Sequence, residues 1–134
     1  AAVGLHSGSI SSLIHPYIRP QEVGNRTDVH WGAWTDEEGR GLLVAGRPLL
    51  NISAWPFTMW TLERADHTFE LYSSRDLTLN IDWKQMGVGG DNSWGARPHP
   101  EYTLPLTSYR YSFRITPLTG NEESLSDLSK RRYD

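Results

Sequence analysis

The chain contains no cysteine. That excludes a disulfide framework, a thiolate zinc site and a cysteine nucleophile, and it leaves the redox compartment open. An excess of basic charge is also missing: 13 Lys and Arg stand against 16 Asp and Glu, for a net charge of −3. A field of that sign does not grip phosphates, so neither nucleic acid nor an anionic membrane surface is expected as a partner. No stretch approaches the roughly 18 consecutive apolar residues of a membrane helix. Residues 1–10 carry neither the basic nor the apolar part of a secretory signal, and the sequence reads as soluble. Catalytic signatures are equally scarce. There is no G-x-S-x-G elbow, no Lys-Ser/Thr of a Walker loop, and no two of His6, His15, His30, His67 and His99 stand at the i, i+4 spacing of a helical metal pair, so no metal site is expected.

What is present is one domain's length, 134 residues, unusually rich in large aromatics. Leu, Ile, Val and Phe make up only about a fifth of the chain, near the range where disorder sets in. Six Trp and six Tyr supply the missing buriable surface. Two prolines, Pro16 and Pro20, bar a helix early in the chain. Alternation around Val29, Trp31 and Ala33 then predicts a strand over Arg26 to Trp34, and the polar turn Asp36-Glu37-Glu38-Gly39 joins it to a second over Gly41 to Ala45. Leu49 to Trp55 reads as a separate strand stopped by Pro56, and Thr58 to Ala65 as a short helix with Met59, Trp60 and Leu62 to one side. His67 to Tyr72 and Leu77 to Trp83 alternate as strands. So does Tyr109 to Ile115, which gathers Tyr109, Tyr111, Phe113 and Ile115 on one face. From Thr119 the chain turns polar and predicts a frayed tail with a weak helix around Glu122 to Ser129.

Short strands, turns and one brief helix argue for an all-β fold, an antiparallel β-sandwich. Six or seven strands are few for two layers, so an unfinished sheet with an uncovered face is one outcome. Trp31 and Trp83 sit on alternating strands and read as core, while Trp34, Trp55 and Trp60 stay open between core and surface.

The segment that stands apart is Met86-Gly87-Val88-Gly89-Gly90-Asp91-Asn92-Ser93-Trp94. Three glycines in four residues permit a tight backbone path. Its tip offers hydrogen-bonding groups and an apolar face, the mix a sugar ring requires. The residues alone leave two readings open: a ligand platform, or a structural loop with Trp94 plugged into the core. Among Glu22, Asp28, Glu63, Asp82, Asp91 and Glu101, the default is a solvated surface charge, with Asp91 set apart by its loop.

The runs HPYIRPQEVGNRTDVHW (from His15), LNIDWKQMGVGGDNSWG (from Leu79), RPHPEYTLP (from Arg97) and YRYSFRITPL (from Tyr109) together resemble the C-terminal region of glycoside hydrolase family 2 β-galactosidases, in order and from about Val3 to Leu118. The resemblance implies a fold: residues 1–118 form the second half of a galactose mutarotase-like β-sandwich, a supersandwich, with 119–134 a polar tail. It implies an activity of a parent enzyme, hydrolysis of terminal β-D-galactosyl residues, whose catalytic glutamates and magnesium and sodium sites lie elsewhere. No catalytic residue, metal or cofactor is then expected in this chain, which is expected to be inactive alone. It implies one substrate-binding residue, Trp94, as a stacking wall, with Asp91, Asn92 and Ser93 supporting its loop. The implied partners are the remainder of the β-galactosidase chain or large subunit and a galactoside, with self-association as a further outcome of the half-sandwich. The implied location is the cytoplasm or periplasm of a bacterium. One departure is Glu22-Val23-Gly24, where many relatives read Glu-Asn-Gly. Two other classes stay in view: a freestanding carbohydrate-binding module, and a purely structural piece for interdomain or subunit contacts.

Overall fold

Two neighbouring residues of one long strand, Leu43 and Val44, are buried on opposite faces, and most of the architecture follows from them. The computed structural model describes residues 3–15, 18, 23–92 and 94–131. In chain order these hold β1 (Arg26–Thr35), β2 (Arg40–Trp55), helix α1 (Met59–Arg64), β3 (Thr78–Asp82), β4 (Ser112–Thr119) and helix α2 (Leu125–Lys130). Three 3₁₀ turns lie at Ile10–Leu13, Thr68–Glu70 and Pro100–Tyr102. Among the described residues the strands form one four-stranded sheet in which β1, β3 and β4 all pair with β2. The expected all-β, antiparallel architecture is present, with α1 at the expected short helix and α2 within the tail where a weak helix was expected. No helix among the described residues is long and apolar enough to cross a membrane.

The two strands expected over Gly41 to Ala45 and Leu49 to Trp55 are one. β2 runs through Pro48 because the β4 ladder, Arg40↔Thr119 to Arg47↔Ser112, ends one residue before it. The N–H that proline lacks is therefore not asked for by that ladder. The β1–β2 turn is built on Asp36, whose carboxylate accepts from Arg40 N at 2.8 Å and Glu38 N at 3.1 Å.

The chain divides into two compact units. The first draws on the described parts of Ala1–Arg26 and Ser53–Asn80. Its core joins Val23, Trp55, Phe57 and Leu62, with Ile14 and Leu71 against them. Trp55 Nε1 donates to the Val23 carbonyl at 2.7 Å, so the buried indole keeps a hydrogen bond. Val23, the departure noted above, is itself core. In α1 the Thr58 hydroxyl caps the helix by accepting from Thr61 N at 3.1 Å, and Leu62 is the side chain it buries. Met59 and Trp60, expected on the inner side with it, are exposed. The strand expected over His67 to Tyr72 is a 3₁₀ turn. The Glu70 carboxylate accepts from Asp66 N at 2.7 Å and His67 N at 3.3 Å, local bonds that take donors a ladder would need.

The second unit draws on Thr27–Ile52 and the described part of Ile81–Asp134. One cluster joins Leu43, Leu118 and Leu128, packed by Trp31, Ala33, Ala45 and Leu125. The other joins Val44, Leu50 and Ile52, packed by Val29, Trp34 and Ile81. Helix α2 covers the first, so the described part of the tail is docked, not frayed. The reason is Arg114 on β4, whose guanidinium donates to the carbonyls of Leu128 at 2.9 Å and Ser129 at 3.2 Å, and to that of Arg131. These carbonyls lie at the C-terminal end of the six-residue helix, where the C-cap N–H of Arg131, which donates to the Leu128 carbonyl, closes back on the chain, and the guanidinium supplies the further donors.

The register fixes which side of β4 faces α2. Thr116 opposes Leu43 and Arg114 opposes Ala45 on that side, while Ile115 opposes Val44 and Phe113 opposes Gly46 on the other. The aromatic face is therefore the open one: Tyr109 is 42% exposed, Tyr111 40%, Phe113 41% and Ile115 50%. Trp83, read as core, is half-buried, with the Tyr109 ring 5.1 Å away.

The end of β4 carries a pH-dependent clasp. Glu122 accepts from Thr119 N at 2.8 Å and Gly120 N at 3.0 Å. The Thr119 bond is the main cause that lowers its pKa below the ordinary 4.5. A carboxylate with a depressed folded pKa contributes stability above its unfolded value and loses it as pH falls through the folded one. Amide protection factors at Thr119 and Gly120 are expected to be flat above about pH 5.5 and to fall below about pH 4.5, with Glu122→Gln abolishing the dependence. Equal protection at pH 6 and at about pH 3 would contradict the clasp.

Candidate functional site

The loop of residues 86–102 is closed at two levels by its own backbone. Gly87 N donates to the Tyr102 carbonyl at 2.7 Å at the base, and Gly90 N to the Ala96 carbonyl at 2.9 Å near the tip. Gly90 is there for space: a Cβ would meet the Arg97 carbonyl oxygen at 2.4 Å. Gly95 adopts φ +96°, a backbone that L side chains rarely take, directly after Trp94. These two glycines let five residues turn within a single backbone bridge.

Inside that bridge Asn92 acts as the turn's internal brace. Its Oδ1 accepts from Trp94 N at 2.9 Å and from Ala96 N at 3.4 Å, an Asx-type turn that closes on the residue after next. Asp91 is braced from outside the tip. His99 Nε2 lies 2.8 Å and 2.9 Å from its two carboxylate oxygens, which makes Nε2 the protonated nitrogen. The 3₁₀ turn Pro100–Tyr102 follows His99 and returns the chain to the base of the loop. Asp91, set apart from the other acidic residues by its loop, is thus occupied by a hydrogen bond with His99 at the surface.

Trp94 is 91% exposed at the end of this scaffold. The reading in which it plugs the core of this chain is overturned by that exposure. The sequence could not exclude it, because glycine content and an aromatic at the tip suit both arrangements. An indole this exposed leaves its faces accessible, which costs hydrophobic stabilisation in water and offers a flat apolar surface to a ligand ring. Met86 and Val88 are exposed on the same loop. Of the four expected residues, the structure brings Asp91, Asn92 and Trp94 together on one braced tip, while Ser93 lies outside the described residues. His99 was missed. It sits eight positions from Asp91 between two prolines, and no local pattern announces that pair.

Of the other acidic candidates, Glu22 lies outside the described residues. Among the described residues no group of three or more His, Asp or Glu could hold a metal ion. Glu101 is exposed on its 3₁₀ turn.

A family model described as the β-galactosidase small chain matches residues 1–115. The β-galactosidase of Priestia megaterium is 45% identical over 119 residues, 88% of this chain and 12% of the relative. That of Lactobacillus delbrueckii subsp. bulgaricus is 43% identical over 113 residues, 81% of this chain and 10% of the relative. A Vibrio vulnificus β-galactosidase is 32% identical over 117 residues, 87% of this chain and 11% of the relative. The chain spans about a tenth of the length of the curated relatives it matches. With more than four-fifths of its residues under one family model, this chain belongs to the β-galactosidase small chain family.

Proposed function

We propose that this chain is an accessory region of a β-galactosidase, supplying Trp94 as a stacking surface for the galactoside while the rest of the enzyme hydrolyses terminal β-D-galactosyl bonds. The observation that carries the reading is Trp94 itself, 91% exposed on a loop whose hydrogen bonds are spent on holding it out. A sugar ring presents an apolar C–H face that stacks on an indole, and a rigid indole loses little entropy when it does so. Asn92 and Asp91 then act as positioning residues, one through the Trp94 backbone and one through His99. The chain is not catalytic alone.

The relatives' length supports a parent enzyme several times longer than this chain, joined to it or assembled with it. Residues 1–118 are then the second half of a larger β-sandwich, and 119–134 an extension whose helix closes one sheet face. The opposite face favours this over a freestanding carbohydrate-binding module. Tyr111, Phe113 and Ile115 leave apolar surface in water that a self-sufficient domain would cover.

The test replaces the matching segment of the Priestia megaterium β-galactosidase with this chain, with and without Phe113→Glu and Ile115→Glu. The plain graft is expected to be active and the double variant to lose at least about tenfold in yield of active enzyme, because two unpaired carboxylates cannot be buried cheaply. In the isolated chain the same pair is expected to leave the circular dichroism spectrum unchanged, since both side chains already meet solvent there. Full activity of the double variant would overturn the covered-face reading.

A further inference from the structure

An open surface cleft of about 420 Å³ lies in the second unit, and none of the described residues of the Trp94 loop tip lines it. Its volume falls in the range of small-ligand sites, roughly 300–1,000 Å³. Asp28 from β1, Leu49 and Asn51 from β2, and Trp83, Lys84 and Gln85 from the segment after β3 line it. Four of those six carry polar side chains, and they come from three separate stretches of the chain.

The chemistry of the lining selects a class of ligand. One carboxylate, Asp28, faces the same space as one ammonium, Lys84, so the wall has no net charge to hold a phosphate or a cation. Carboxylate oxygens accept, the ammonium donates, and the amides of Asn51 and Gln85 do both. A sugar needs that alternation, because each hydroxyl donates once and accepts as well. Lys84 Nζ sits 4.9 Å from the Trp83 ring centroid, a cation–π contact that tethers an otherwise floppy side chain to the cleft wall. Asn51 is buried within β2.

Asp28 adds a backbone observation. Its φ of 56° is the single positive value among described residues other than glycine. Asp and Asn tolerate that left-handed conformation better than other side chains. The position can therefore lose its charge without losing its backbone.

We infer that this cleft is a second carbohydrate site, one that takes an uncharged mono- or disaccharide through Asp28, Asn51 and Lys84 and acts independently of Trp94. The site does not depend on the parent-enzyme reading, since every lining residue belongs to this chain.

The experiment follows the ¹H–¹⁵N spectrum of the full chain during titration with galactose and, separately, lactose. Saturable shifts are expected at residues 27–28, 51 and 83–85, with a dissociation constant on the order of 1–10 mM. Asp28→Asn and Lys84→Met, each with the dispersion of its spectrum retained, are expected to weaken binding by about tenfold or more. Trp94→Ala is expected to leave it unchanged. Shifts confined to residues 91–96, wild-type affinity in both charge variants, or no saturation by about 100 mM of either sugar would each overturn the site. Loss of the 91–96 shifts alone bears on the Trp94 reading and not on this one.

Discussion

Given a chromogenic β-galactoside, the isolated 134-residue chain is expected to release no chromophore above the spontaneous rate, while its graft in the Priestia megaterium β-galactosidase does. The difference is the whole enzymatic acceleration, at least about a millionfold. The carboxylates of this chain are engaged otherwise. Glycoside hydrolysis takes a pair of them, one serving as a general acid with its pKa raised by a desolvated setting. The displaced carboxylates here move the other way. Glu70 is lowered chiefly by the bond from Asp66 N, Glu122 by that from Thr119 N, and Asp127 by the Ser124 side chain. At Asp36, burial pushes the pKa up, and the bonds from Arg40 outweigh it. All four are turn and cap groups held ionised at the surface: Asp36, Glu70 and Glu122 accept from backbone N–H groups, Asp127 is held by Ser124 and Lys130, and none has a proton to give. Asp91, the acidic residue nearest the exposed indole, is committed to His99. Hydrolysis by the isolated chain that survives purification to homogeneity, and that tracks the chain through a size-exclusion column, would sink the accessory reading outright.

Some of this was legible in the sequence, for reasons that differ from element to element. β1 and β3 were, because Val29, Trp31 and Ala33 alternate and so do Leu77 to Trp83, and so was the short helical run from Thr58 to Ala65 that holds α1. The continuity of β2 was not, because Pro48 reads as a stop unless one knows that the neighbouring ladder ends at Arg47. The inner face of β4 was not either. Tyr111, Phe113 and Ile115 are the more apolar side of the strand, and the folded chain turns that side outward because Arg114 is engaged with the end of α2. Hydrophobic alternation says which residues share a face, and it does not say which face is covered in this chain. The same limit held at the tryptophans. Trp55 and Trp94 are both followed by a helix-breaking residue, and one is sealed in a core while the other is almost fully exposed. What set Trp94 apart was the resemblance carried by its surrounding run. The Asp91–His99 brace needed coordinates, since it joins side chains across a loop whose path the glycines leave undetermined.

Trp94→Ala, made in the graft, is expected to raise KM for a galactoside by about 5- to 150-fold with kcat changed much less, the kinetic form of losing about 1–3 kcal/mol of stacking that substrate and transition state share. The exposure of Trp94 makes this a sharp test. Because the indole is 91% exposed, its removal takes little from the fold, and the melting temperature of the isolated chain is expected to stay within about one degree of the parent. A KM effect in the absence of a stability effect separates a substrate contact from a structural role. Trp94→Phe keeps a smaller aromatic face and is expected to fall between the two. Asn92→Ala provides the complementary arm. It removes the acceptor of the Trp94 and Ala96 N–H groups while leaving the indole in place, so the ring persists on a tip that is no longer braced. Preorganisation is then what is lost, and KM is expected to rise by a smaller factor, about 2- to 10-fold, than when the ring is deleted. The double variant is expected to be no worse than Trp94→Ala alone, because bracing has no value once there is nothing to hold, and full additivity would show that Asn92 acts on the substrate by a route of its own. An unchanged KM in Trp94→Ala across galactosides with large and small leaving groups would remove Trp94 from the substrate wall altogether.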